Sequence, residues 1–284
     1  MATGGSRLSA RKVQQGLQAH PRIANVIAVG SGKGGVGKST TTVNLALALQ
    51  QQGLRVGVLD ADIYGPSIPT MLGLSGRPES TPEKKIVPMR ALGIDTMSIG
   101  FLVEDDSPMI WRGPMATQAL TQFFNDTLWD DLDVLLVDLP PGTGDIQLTL
   151  SQKIPVAGAL VVTTPQDVAT MDARKALAMF EKVNIPVLGL VENMAVHVCS
   201  QCGHAEHIFG HGGGQAMAQR YDVPLLGSLP LDARIREQAD AGTPVVAADP
   251  DGALAGAYGE LARGLLERLA QRPRAGIALS TLGG

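Results

Sequence analysis

Residues 26–42 read VIAVGSGKGGVGKSTTT: an apolar run, a turn rich in glycine and lysine, then a helical stretch. From Gly32 to Ser39 the turn matches G-x-x-x-x-G-K-[ST], in the strand–loop–helix setting that gives this pattern meaning. The residue types follow from what a chain of phosphates needs. Gly32, Gly34, Gly35 and Gly37 let the backbone wrap an anion with its N–H groups pointing inward. The positive end of the following helix faces the same anion. Lys38 is placed to reach terminal phosphates, and the Ser39 hydroxyl to ligate Mg²⁺. Val36 and Thr40 complete the nucleotide-binding run.

Outward from this loop, short apolar runs alternate with helical patterns along the whole chain. Strands are expected at Asn25–Gly30, Leu54–Asp60, Gly93–Ile99, Asp133–Asp138, Gly158–Thr164, Pro186–Asn193 and Pro224–Leu229. Several are unbroken Val/Ile/Leu runs, as in strands buried on both faces of a parallel sheet. Helices are expected at Lys38–Gln52, Met115–Asn125, Asp167–Val183, Gln215–Arg220, Asp232–Ala241 and Leu254–Gln271. The alternation predicts an α/β protein with a doubly wound, mostly parallel sheet of about seven or eight strands flanked by helices, the P-loop NTPase fold. One domain over residues 22–271 is expected, between a loose opening segment (1–21) and a loose tail (272–284). Ser75–Arg90, rich in Pro, Glu, Lys and Ser, reads as an exposed loop.

Composition narrows the function. The 284 residues are 44% hydrophobic and 18% charged, an ordinary globular balance. Aromatics at 4% are too sparse for a base-stacking platform on single-stranded nucleic acid. The longest apolar runs, about eight residues, are too short to span a bilayer. No secretory leader is evident and two cysteines build no disulfide framework, so a cytoplasmic protein is expected. Charge is uneven: no Asp or Glu precedes Asp60, whereas the rest of the chain is strongly acidic. An acidic body disfavours DNA. Leu254–Gln271 carries an apolar stripe with only Arg263 and Arg268 as basic residues, the pattern of a packed helix rather than a membrane-binding one.

The only cysteines, Cys199 and Cys202, form a C-x-x-C inside HVCSQCGHAEHIFGH (197–211), which also holds four of the five histidines. Three chemistries compete. A thioredoxin-like redox pair would need the motif near the start of a βα unit of that fold. A mononuclear Zn²⁺ site could use both cysteines with two of His204, His207 and His211. A [4Fe–4S] cluster needs four thiolates, of which one chain supplies two, so a twofold axis through this loop would complete it and imply a homodimer.

The second loop lysine, Lys33, makes GKGGVGKST a deviant P-loop, and here the sequence resembles the ATPase class containing MinD, ParA and the nitrogenase iron protein. That resemblance implies that Lys33 reaches the partner's nucleotide across a dimer interface. It implies that Asp62 orients the attacking water, and that Asp60 supports the Mg²⁺ shell or the loop itself. Asp138, ending a strand in VLLVDLPPGTGD, reads as the Walker B carboxylate, with Gly142 sensing a γ-phosphate. Asn193 would hydrogen-bond adenine in a base pocket lined by Leu229–Pro230. No N-K-x-D guanine signature is present, which favours ATP.

The set GSGKGGVGKST, DADIYGPSIPTMLG, MIWRGPM, VDLPPGTGD, VENMA before the C-x-x-C, and PLDARIREQADAGTPV resembles the Mrp/ApbC family of iron–sulfur cluster carrier ATPases over roughly residues 22–250. The resemblance implies a homodimer that binds and slowly hydrolyses ATP with Mg²⁺. It would hold a [4Fe–4S] cluster between the two Cys199/Cys202 pairs and pass it to apoproteins, with no nucleic-acid or membrane partner. A MinD/ParA-like positioning ATPase and a zinc-stabilised nucleotide-binding module are the alternatives.

Overall fold

The computed structural model describes residues 8–102 and 113–275. All seven expected strands form, at β1 (Ile23–Ser31), β2 (Val56–Asp60), β4 (Ile94–Ser98), β5 (Leu132–Asp138), β6 (Gly158–Thr163), β7 (Val187–Glu192) and β10 (Leu225–Ser228). They run parallel in one sheet, and the short β3 (Met89–Ala91) adds an antiparallel edge beside β4. The order β10-β7-β6-β1-β5-β2-β4-β3 places β1 between β5 and β6, the crevice where an open α/β sheet takes its ligand.

Two helical layers cover the sheet because the strands are apolar on both faces. On one face α3 (Gly113–Asp126), α4 (Asp145–Lys153), α5 (Asp167–Lys182) and α6 (Gly213–Tyr221) bury Leu120, Phe124, Leu150 and Phe180. On the other, α1 (Lys38–Gln51), α7 (Ala233–Asp240), the single turns α2 (Ile68–Met71) and α8 (Val245–Ala248), and α9 (Ala253–Ala270) enclose Leu45, Leu49, Val246 and Tyr258. The apolar stripe of α9, Leu254, Tyr258, Leu261, Leu265 and Leu269, is buried in this second core. Among the described residues no helix is long and apolar enough to cross a membrane.

Four features differ from the sequence expectation. The helix α4 carries too polar a segment, DIQLTLSQK, to announce itself. A two-stranded hairpin, β8 (His197–Val198) with β9 (Ala205–Glu206), frames the cysteines. The Ser75–Arg90 loop is held to the body by bridges between Ser80 and Ile86 and between Ile86 and Thr127. The described parts of the two expected loose ends are also tied down: Arg11 bridges Arg274, the Lys12 N–H donates to the Pro273 carbonyl, and the Ala275 N–H donates to that of Ala10. The Gln14 side chain fastens this clasp by donating to the Ser151 carbonyl and accepting from the Val156 N–H. Residues 1–7 and 276–284 lie outside the described part, as do Met109–Arg112 of the MIWRGPM stretch, whose Gly113–Met115 opens α3.

Candidate functional site

The loop after β1 turns tightly because glycine stands where no side chain fits. A Cβ at Gly32 would overlap the Asp172 carbonyl in the first turns of α5. Gly37 caps α1 in the left-handed region (φ +78°) and has the Asn193 amide packed against it. Residues 33–40 line a cavity of about 200 Å³ together with Ser31, Asp62, Ser67, Met71 and Pro141.

Asp138 is the hub beneath this cavity. It is fully buried, and its Oδ2 accepts from Lys38 Nζ at 2.7 Å and Ser39 Oγ at 2.6 Å. Thr42 Oγ1 donates to its Oδ1 at 2.8 Å. The sequence expectation brought Lys38, Ser39 and Asp138 together but missed Thr42. Its signal was positional: four residues after Lys38, it lies on the same face of α1. Lys33 is half-buried at the cavity wall, and among the described residues its ammonium has no carboxylate partner.

The register of β2 with β5 sets Asp60 directly beside Asp138. Burial and that neighbouring carboxylate push the Asp60 pKa up to about 7. Of the two duties expected for Asp60, the structure displays the loop-holding one. Its Oδ1 accepts the Asp62 N–H, and its Oδ2 accepts from Ser98 Oγ and the Ile68 N–H. Asp62 lines the cavity and also closes a turn by accepting the Tyr64 N–H. Gly142, at φ +92°, donates its N–H to the Ser31 carbonyl, and Gln147 donates to the Pro141 carbonyl, which anchors the loop after β5 to the end of β1.

The pKa of Asp60 carries a testable sign. In the unfolded chain it titrates near 3.8 and in the folded protein near 7, so the folded state binds the proton more tightly. That stabilisation is complete below the unfolded value and is lost as pH rises through 7. In EDTA and without nucleotide, Asp60→Asn is therefore expected to gain on the native protein as pH rises. The melting temperatures should diverge by roughly 5 °C between pH 5 and pH 8. A difference that stays flat across this range would contradict the burial of a strained carboxyl group.

A second cavity, of about 320 Å³, adjoins the first through Gly37, Thr40 and Met71. Asn193, Met194, Pro230, Leu231, Asp232 and Ile235 line it. Pro230 is where it was expected. Leu229 is not: it is buried in the core and pairs by its backbone with Glu192 and Ala195. The Asn193 Nδ2 donates one of its two N–H groups to the Val36 carbonyl at 2.9 Å, which fixes the amide against the loop and leaves its oxygen and second N–H for a base.

The cysteines sit on the β8–β9 hairpin after β7, closed by the Cys199 N–H to the His204 carbonyl and the Gly203 N–H to the Cys199 carbonyl. Both are free thiols, Cys199 half-buried and Cys202 exposed. Hydrogen bonds from the Cys202 and Gln201 N–H groups, then the Cys202 side chain and the nearby His197, lower the Cys199 pKa and favour its thiolate, the ligating form. Among the described residues no three His, Cys, Asp or Glu side chains converge as a metal site. The single-chain four-ligand arrangement with His204, His207 and His211 is thus not assembled. The His207 ring instead bonds the Ala195 carbonyl through Nδ1 and lies 5.6 Å from the His211 ring.

Comparison with known proteins identifies the family. A family model described as ParA, NUBPL iron-transfer P-loop NTPase, matches residues 22–266. The chain is 58% identical over 257 residues to the iron-sulfur cluster carrier protein of Pseudomonas fragi, covering 90% of each. It is 61% identical over 241 residues to that of Haemophilus influenzae, covering 84% of this chain and 65% of the longer relative. A solved nucleotide-binding protein from Archaeoglobus fulgidus, in complex with ADP, superposes with a TM-score of 0.69 at 40% identity, over 78% of this chain and 87% of that one. The chain belongs to the NUBPL iron-transfer family of P-loop NTPases.

Proposed function

We propose that this protein is an ATP-binding, slowly hydrolysing carrier of iron–sulfur clusters, which two copies hold jointly and deliver to apoproteins in the cytoplasm. The observation that carries the reading is the pairing of a complete P-loop hub with a C-x-x-C hairpin that gathers no further ligands among the described residues. A relative 58% identical over nine-tenths of its length is named an iron-sulfur cluster carrier protein.

The residues divide the work as follows. The N–H groups of Gly32–Ser39 and the start of α1 hold the phosphates. Lys38 exchanges its bond to Asp138 for one to the terminal phosphates. Ser39 and Asp138 offer the hard oxygen donors that suit Mg²⁺, which when bound neutralises phosphate charge. Asp60 supports them from the adjacent strand. Asp62 orients the attacking water, and Gly142 reports the γ-phosphate to the loop after β5. Lys33, whose ammonium has no carboxylate partner among the described residues, extends to the nucleotide of the second copy. The side-chain amide of Asn193 and the ring of Pro230 take the adenine.

The cluster is cargo. Each chain contributes Cys199 and Cys202, and the exposed Val198 and Ile208 beside them supply apolar surface for pairing. Tyr64 and Met171, in segments following the carboxyl ends of β2 and β6, are further exposed apolar side chains toward the end of the sheet that carries the P-loop. The membrane form of the positioning-ATPase alternative needs an amphipathic helix free to lie on a bilayer, and the apolar side of α9 is already buried.

Anaerobic purification and reconstitution test the proposal. The expected product is brown, contains about two iron and two sulfide per chain, and sediments as a dimer with ATP. A colourless zinc protein would overturn the proposal, as would a strict monomer with a full complement of iron.

A further inference from the structure

The base cavity and the cysteine hairpin are built from the same two stretches of chain. Asn193 and Met194 line the cavity, and the hairpin starts three residues later at His197. Opposite them, Pro230, Leu231 and Asp232 form the other wall. The two stretches are laced together: the Ala195 N–H donates to the Leu229 carbonyl at 2.9 Å, and the Leu231 N–H to the Val196 carbonyl at 2.8 Å. The last link is a side chain. His197 Nδ1 lies 3.0 Å from the Leu231 carbonyl, and because a carbonyl only accepts, that nitrogen carries the proton.

We infer that His197 is a positioning residue for the cysteine pair, tying the foot of the hairpin to the cavity wall so that a purine nucleoside in the cavity alters the setting of Cys199 and Cys202. The inference rests on the reading of that cavity as the base site. The geometry favours it over a route through the phosphates alone. A base held by Asn193 and Pro230 touches the wall that the link joins to the hairpin, and Cys199 follows the link by two residues. Met194 adds tension to the wall, since it adopts φ +59°, a left-handed conformation that costs any residue with a Cβ. A ligand shifts a conformation only through contacts that differ between its two forms. Here the contacted wall and the moving hairpin are one piece.

The test uses the full-length, cluster-free, reduced protein and site-resolved iodoacetamide labelling of Cys199. ADP and inorganic pyrophosphate, each saturating with Mg²⁺, share two phosphates and differ by the nucleoside. ADP is expected to change the labelling rate by about fivefold or more, within the usual range of coupling between sites, whereas pyrophosphate leaves it near the ligand-free value. His197→Ala should abolish the ADP effect while ADP still binds. His197→Asn, whose amide N–H can stand where the ring Nδ1–H stood, should restore it.

An equal response to pyrophosphate, an ADP effect that survives in His197→Ala, or no response to ADP in native protein that binds it would each overturn the inference. The comparison of ADP with pyrophosphate uses native protein alone, so it decides the matter even if His197→Ala fails to fold. If ADP does not bind the native protein, the nucleotide reading itself falls.

Discussion

Lys38→Ala is expected to lose nucleotide binding and a large part of the protein's stability in one step. The ammonium is buried against the Asp138 carboxylate at 2.7 Å, and both side chains are almost entirely shielded from water. Removing it leaves an ionised carboxylate held only by the Ser39 and Thr42 hydroxyls. Stranding one member of a buried pair typically costs about 3–5 kcal/mol. Nucleotide affinity should fall by at least about a hundredfold, the scale of a lost charge-assisted hydrogen bond to phosphate. The two losses separate in the double variant Lys38→Ala/Asp138→Asn, which removes the stranded charge. Its denaturation midpoint should recover most of the deficit while its nucleotide affinity does not. Denaturant titration and calorimetry on the same samples read both. A Lys38→Ala protein as stable as the native one would show that the pair does not exist in solution, and one that still binds ATP tightly would remove the phosphate role.

Cys202→Ala is expected to abolish iron retention and leave the fold untouched. Cys202 is exposed, and the hairpin turn is closed by the backbone bonds of Cys199, His204 and Gly203, none of which uses its side chain. Stability should change by no more than about 0.5 kcal/mol, as for most exposed substitutions. ATP binding should match the native protein because neither cavity is lined by a cysteine. Each pair of chains, however, loses two of its four thiolates, and iron and sulfide after anaerobic reconstitution should fall to background. Stoichiometric iron in this variant would end the shared-cluster proposal.

These two outcomes test parts of the molecule that were unequally visible before folding. The parallel strands were legible because burial on both faces forces runs such as VLLVD and ALVVTT, which no half-exposed element sustains. The P-loop was legible because glycine and lysine are fixed there by phosphate chemistry. Thr42 was not, since a threonine in a helix is unremarkable until its register beside Lys38 is known. Asp60 was expected to support the Mg²⁺ shell or the loop, and the donors through which it holds the loop, Ser98 and Ile68, are contacts that no local pattern encodes. The β8–β9 hairpin is two residues a side, too short for any periodicity, and His197 gains its role only from a carbonyl 34 residues away.

The clasp between Ala10–Lys12 and Pro273–Ala275 has a practical consequence for how this molecule can be handled. It lies beside the Gln14 contacts with the end of α4 and the approach to β6, and beside the Leu8 N–H bond to Asp133 near the start of β5. That is the pole of the sheet opposite the P-loop and the cysteines. The clasped residues 10–12 and 273–275 therefore share one spot on the far pole, away from the face proposed to meet a second copy. The adjacency of residues 10 and 275 also makes a circular permutant feasible, with new ends opened in the Ser75–Arg90 loop.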